Sequence, residues 1–280
     1  MNLAVKPWKY VDIVSVHYGK GDVVPRQMPH GQSMMPVYEH LYQNWIRPER
    51  IEGVWNTEAG LTATEAGTAG FVALEPWERP PYAQWVPRYT IPVLHWALRH
   101  DWRSRDQYKL FWYHIAKRAP GSEGTLRRTN LLTRKADSHR VSRTGRALET
   151  VSDLLTSADS LGPFEGTVTM GFGLNDDPNA ANHFPPVRLP TYAFRLGDRI
   201  LVTAWLNRPG IAFASSNQPG IEVSVEGVAA GRSYRARTVD YVSGARSTVR
   251  KSLIAEGGRL GFDLSRTKAP ILYLVLDPAS

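Results

Sequence analysis

Val11-Asp12-Ile13-Val14-Ser15-Val16-His17-Tyr18-Gly19 is a β-branched apolar run closed by glycine, and Gly53-Val54-Trp55-Asn56-Thr57-Glu58 is a second run that ends in a carboxylate before Ala59-Gly60. The first predicts a strand buried on both faces, the kind a parallel sheet requires. Between them, after a Pro/Gly-rich loop, Ser33 can cap a helix whose Pro36 suits the first turn. Val37, Leu41 and Trp45 recur every four residues on one stripe of it, and it ends near Arg47-Pro48. Strand, helix, strand makes a βαβ unit.

Working outward, a long loop from Leu61 to Pro81 leads to a helical stretch from about Tyr82 to His100, in which Pro87 and Pro92 demand kinks or a late start. Tyr108 to Ile115 predicts a third, aromatic strand. Thr144 to Ala158, with Leu148, Val151, Leu154 and Leu155 at helical spacing, predicts a helix behind it. After Gly162 the pattern changes to short alternating runs separated by Gly, Pro, Asn and Asp: Arg199 to Leu206, Ile221 to Val225, Ser233 to Asp240, Arg259 to Asp263 and Ile271 to Leu276. These predict an antiparallel β-sandwich, joined through Asn175-Asp176-Asp177-Pro178-Asn179 or the turn just before it. The expected fold class is therefore α/β plus all-β, in two domains, residues 1–162 and 163–280.

Composition bounds the chemistry. The 280 residues are 42% hydrophobic, enough for a real core, and contain no cysteine. Disulfides, Cys-ligated metal centres and a cysteine nucleophile are excluded. No apolar run is long enough to span a bilayer, and MNLAVKPWKY lacks the apolar stretch of a secretory signal. The net charge of +8 is local: residues 99–146 hold 13 Lys+Arg and 4 Asp+Glu, so the rest of the chain is close to neutral. No zinc-finger spacing, RNA-recognition signature or helix-turn-helix accompanies that basic segment, so the sequence does not support nucleic acid as a partner. An acidic polymer such as a uronate-containing glycan is the weaker expectation for it. His30, His40, His95 and His100 lack metal-ligand spacing, and no dinucleotide or phosphate loop occurs, so no metal and no cofactor is expected.

In parallel α/β architectures the carboxyl ends of the strands converge on one edge, which is where a ligand is met. The three predicted strands end in His17-Tyr18, in Glu58 and in Trp112-Tyr113-His114. A carboxylate, hydrogen-bonding groups and an aromatic platform together suit a sugar ring. Thr57-Glu58-Ala59-Gly60 recurs as Thr64-Glu65-Ala66-Gly67. Glu58 is the better candidate, because it follows a strand directly whereas Glu65 follows a loop or helix start.

Asp12-Ile13-Val14-Ser15-Val16-His17-Tyr18, Trp55-Asn56-Thr57-Glu58-Ala59-Gly60 and Phe111-Trp112-Tyr113, in that order, resemble strands six, seven and eight of the (β/α)8 TIM barrel of clan A glycoside hydrolases, of the beta-xylosidase and alpha-iduronidase type. The resemblance implies a partial barrel followed by a C-terminal β-sandwich. It implies Glu58 as the retaining nucleophile, His17 or Tyr18 bonded to it or to the sugar, and Trp112 and Tyr113 at the glycone. A carbohydrate, oligo- or polysaccharide, would then be the substrate, with secretion expected if a full-length form carries a signal peptide.

Retaining glycosidases need a second carboxyl group about 5 to 5.5 Å from the nucleophile. In this family the acid/base glutamate follows an asparagine at the end of strand four, and this chain contains no Asn-Glu pair. Three βα units also cannot close an eight-stranded barrel, which leaves an open edge at the first strand. The chain thus reads as the C-terminal, truncated portion of a hydrolase, nearly inactive by itself. The alternative is a non-catalytic carbohydrate-binding or structural protein, in which Glu58 is an ordinary strand-end carboxylate, His17 a core group and Trp112 packing.

Overall fold

The computed structural model describes residues 12–16, 35–49, 51–59, 80–100, 108–112, 131–135, 138–156, 161–172, 187–205, 220–264 and 270–279. They are mostly sheet with few helices, and no closed barrel is present among them. The chain divides into two compact units, Met1–Gly145 and Arg146–Ser280.

In the first unit, β1 (Ile13–Val16), β2 (Gly53–Ala59) and β3 (Tyr108–Trp112) form a parallel sheet in the order β1-β2-β3. The register pairs Val14 with Val54 and Val54 with Tyr108. The buried strand is β2, with Val54 fully enclosed. β1 departs from the expectation of burial on both faces: Ile13 and Val14 are half-buried and Ser15 is exposed. The physical reason is position, since β1 is an edge and β2 the centre of the sheet.

α1 (Met35–Leu41), a π-helical turn (Tyr42–Ile46) and α2 (Arg47–Glu49) run as one rod before β2. The stripe expected from Val37, Leu41 and Trp45 is displaced. Among the described side chains of this rod Tyr38 and Ile46 are buried, Leu41 is half-buried and Trp45 is 46% exposed, while the side chain of Val37 lies outside them. The wider i→i+5 turn accommodates an extra residue, so Ile46 comes back beneath Tyr38 after eight positions and Trp45 is carried outward. α3 (Pro80–Arg99) is continuous across Pro87 and Pro92, with no late start. Its own Trp85, Val86, Arg88, Ile91, Val93 and Ala97 are buried, so it is enclosed on several sides, and that packing outweighs the amide hydrogen bonds the prolines remove.

The basic stretch contains a hairpin, β4 (Leu132–Lys135) with β5 (Ser138–Val141). It feeds α4 (Arg143–Thr156) through Ser142, a buried N-cap whose Oγ accepts the Gly145 N–H at 2.9 Å.

In the second unit, β6 (Leu161–Pro163), β9 (Thr191–Leu196), β10 (Arg199–Trp205), β12 (Ser233–Val239), β13 (Arg246–Ile254) and β15 (Ile271–Pro278) form a six-stranded antiparallel sheet, order β13-β12-β15-β10-β9-β6. β7 (Thr167–Phe172), β8 (Val187–Arg188), β11 (Ile221–Glu226) and β14 (Arg259–Leu264) form a second, order β14-β11-β7-β8. One hydrophobic core takes alternate residues from both: Val202, Leu272 and Leu274 from the first, Met170, Val223 and Leu260 from the second. The other face of the six-stranded sheet is buried as well, through Leu201, Thr203, Trp205, Ile271 and Tyr273. β10 from Ile200 to Trp205 and β15 from Ile271 to Leu276 are consequently buried at every position, whereas β11 alternates. The five runs expected here coincide with β10, β11, β12, β14 and β15. β13 carries too little alternation to be seen, because its residues are exposed along an edge. The link at Asn175–Asn179 lies outside the described residues.

Candidate functional site

The parallel order of β1, β2 and β3 brings their carboxyl ends to one edge of the sheet, because neighbours that run the same way finish on the same side. β1 ends at Val16, in register with Asn56 of β2. β2 pairs Asn56 with Leu110 and then Ala59 with Trp112, so Thr57 and Glu58 together oppose the single residue Phe111. That is a β-bulge, a device that redirects a side chain and is over-represented beside functional sites. The backbone of Glu58 therefore lies in the final turn of pleat of a central strand, at an irregularity, one residue from the Ala59–Trp112 pair. His17 and Tyr18 follow Val16 directly in the chain, and Tyr113 follows Trp112. These three residues and His114 lie outside the described residues, as do the side chains of Glu58 and Trp112.

Sequence reasoning named Trp55 and Phe111 only as parts of motifs. Ser15, Trp55 and Lys109 stand in register across the three strands, and Phe111 follows Lys109 on the same face of β3. The Trp55 and Phe111 rings lie 6.0 Å apart at 52°, and the Lys109 ammonium sits 4.5 Å above the Trp55 ring. Phe111 is 45% exposed. This half-open aromatic surface borders the bulge that contains Glu58. Period-two counting from Trp112 passes over it, since Phe111 is the adjacent residue and falls on the opposite face of β3.

A second polar cluster joins α1 to α3. Glu39 Oε2 accepts from Trp96 Nε1 at 2.7 Å and from His100 Nε2 at 2.9 Å, and Oε1 accepts from Gln43 Nε2 at 2.7 Å. Burial pushes the Glu39 carboxyl up, and the hydrogen bonds from Gln43, Trp96 and His100 outweigh it, holding the group below the usual glutamate range. Tyr42 stacks on the His100 ring at 3.9 Å, and Tyr38 packs on Trp96 at 5.3 Å. The one carboxylate of Glu39 thus holds both Trp96 and His100 of α3, which makes the cluster a helix-to-helix tie. Nearby His95 is pushed down to about 4 by burial and by the Arg99 charge, so it is neutral at pH 7. Among the described residues no group of three or more His, Asp and Glu side chains is placed to hold a metal ion. No helix among them is long and apolar enough to cross a membrane.

No family model matches this chain, and no curated protein matches it. Among solved structures, the GH51 arabinofuranosidase from Xanthomonas axonopodis pv. citri aligns over 96% of this chain and 53% of its own, with 10% identity and a TM-score of 0.36. A noncanonic maltogenic alpha-amylase, AmyB from Thermotoga neapolitana, aligns over 87% of this chain and 64% of its own, with 11% identity and a TM-score of 0.29. The chain thus spans about half the length of the arabinofuranosidase with which it aligns.

Proposed function

We propose that this chain is the C-terminal portion of a retaining glycoside hydrolase acting on O-glycosyl bonds of oligo- or polysaccharides, with Glu58 as the nucleophile. In this reading residues 1–162 contribute the last three βα units of a TIM barrel, and residues 163–280 are a β-sandwich domain. One observation carries it: three adjacent parallel strands bring Glu58, in a bulge, and Trp112 to the same carboxyl edge of the sheet. The carboxylate attacks the anomeric carbon, the aglycone oxygen leaves with a proton from an acid/base carboxyl, and water then releases the sugar. The acid/base residue comes from sequence outside this chain. His17 or Tyr18 hydrogen-bonds to the sugar or to Glu58, and Trp112 and Tyr113 form its platform.

A dinitrophenyl 2-deoxy-2-fluoroglycoside tests the assignment, since its leaving group departs without acid assistance and the fluorine slows release of the covalent intermediate. Mass spectrometry of the chain joined to its upstream barrel sequence is expected to find the sugar on the peptide containing Glu58. Glu58→Gln is expected to lower turnover of ordinary aryl glycosides by a factor of roughly ten thousand or more while the protein stays folded. Ordinary turnover by the 280-residue chain alone, or an adduct on another carboxylate, would overturn the reading.

The half-open Trp55–Phe111 surface favours a second reading, saccharide binding without turnover. Binding of an oligosaccharide that Phe111→Ala abolishes, with no adduct at Glu58, distinguishes it.

A further inference from the structure

The second unit holds a cleft of about 330 Å³ between α4 and the turn that joins β12 to β13. The turn is fixed. Asp240 Oδ1 accepts the backbone N–H of Val242 at 3.1 Å and of Ser243 at 2.7 Å, and the Ser243 hydroxyl at 2.8 Å. The Asp240 carbonyl accepts the N–H of Gly244, whose φ of +70° is the left-handed conformation the turn requires. Thr150 of α4 ties the two walls together, its hydroxyl donating to the Val242 carbonyl at 3.2 Å. The cleft is therefore held open by its frame.

Leu154 and Val239 make an apolar floor, while the rim carries both signs of charge: the guanidinium groups of Arg146 and Arg246, and the carboxylates of Glu149 and Asp153. Among the described residues, Glu149, Asp153 and Arg246 form no ion pair and no side-chain hydrogen bond. The Glu149 and Asp153 carboxylates and the Arg246 guanidinium line one space without closing on one another, which leaves donors and acceptors for an occupant. An anion would meet two carboxylates there, and a cation two guanidinium groups. A neutral molecule rich in hydroxyls, each both donor and acceptor, satisfies both kinds of group and can lay its C–H face on the floor. The volume is at the small end for ligand sites, enough for one or two saccharide rings.

We propose that this cleft binds a neutral, hydroxyl-rich small molecule of mono- or disaccharide size, separately from the Glu58 edge. The test titrates the whole chain with maltose, xylobiose and cellobiose, read by saturation-transfer NMR and calorimetry. The variants are Arg246→Gln and the pair Glu149→Gln with Asp153→Asn, all surface changes that preserve shape. At least one sugar is expected to bind, and each variant to weaken it roughly tenfold or more. If one variant fails to fold by circular dichroism, the other decides. Absence of binding by all three sugars, binding indifferent to both variants, or displacement of the sugar by inorganic phosphate would overturn the proposal. None of these outcomes bears on the covalent trapping at Glu58, so the two readings fail independently.

Discussion

Gly145 sits in the first turn of α4, where alanine would ordinarily favour the helix by about 1 kcal/mol. The structure reverses that sign. A Cβ at this position would run into the Leu131 carbonyl oxygen and stand 2.8 Å from Val141 Cγ1. The carbonyl cannot simply move aside, because it accepts the Ser142 N–H at 2.8 Å, and Ser142 in turn caps the helix through the Gly145 N–H. Overpacking of this kind costs about 1–3 kcal/mol, and yielding the Ser142 bond instead leaves a buried donor at a similar cost of about 1–3 kcal/mol. Because the clash is with a backbone oxygen rather than a flexible side chain, the cost falls in the upper part of that range, about 2–3 kcal/mol, and after the propensity gain of about 1 kcal/mol Gly145→Ala is expected to lose about 1–2 kcal/mol. In equilibrium urea unfolding followed by far-ultraviolet circular dichroism, the midpoint should fall by roughly 0.5–1 M for a slope of about 2 kcal/mol per molar. Gly261→Ala in β14 is the control. Nothing lies within 4 Å of its would-be Cβ, and it is expected to gain roughly 0.4–1 kcal/mol. A Gly145→Ala midpoint at or above that of the parent, with Gly261→Ala behaving as stated, would refute the close approach of Gly145 to Leu131 and Val141.

Two further outcomes follow from buried groups. With its folded pKa near 4 against about 6.5 when unfolded, His95 is protonated first in the unfolded chain, so stability is full above pH 6.5 and declines as pH falls toward 4. The loss is at most about 3 kcal/mol, and His95→Gln should flatten the profile of Tm against pH across that window; an unchanged slope would remove His95 as its source. Tyr273 is fully buried, its hydroxyl has no hydrogen-bond partner among the described residues, and burial with the neighbouring Tyr241 holds its ionisation well above the usual range. Tyr273→Phe should therefore stabilise the second unit by about 1 kcal/mol or leave it unchanged, and a loss of more than that in thermal unfolding would reveal a partner for the hydroxyl.

Hydrophobic periodicity is a local property, and it made the strands around Val14, Val54 and Phe111, the helix at Leu148–Leu155 and the apolar runs of β10 and β15 readable from residue order alone. The same reading placed Glu58 at the end of a strand, because a carboxylate after Val54-Trp55 interrupts the apolar run. It could not reach features that depend on which residues become neighbours. The bulge at Thr57-Glu58 exists only relative to Phe111 across the sheet, 53 positions further along from Glu58. Four-residue spacing puts Trp45 on one stripe with Val37 and Leu41 because it assumes an α-helix throughout, and packing of Tyr38 and Ile46 on one side selects the π turn instead. Pro87 and Pro92 are helix breakers locally, yet α3 persists because enclosure by its surroundings exceeds the loss of two amide bonds.

Residue order by itself determined where the chain alternates, where it turns and which carboxylate follows a buried strand, since each of these is written in neighbours a few positions apart. Tertiary structure alone decided that Thr57 and Glu58 together oppose Phe111, that Glu39 ties Trp96 to His100 across two helices, and that a rigid turn at Asp240 faces α4 across a cleft. Those arrangements are set by long-range burial and by hydrogen bonds between segments far apart in sequence, and the energy that selects them has no local signature.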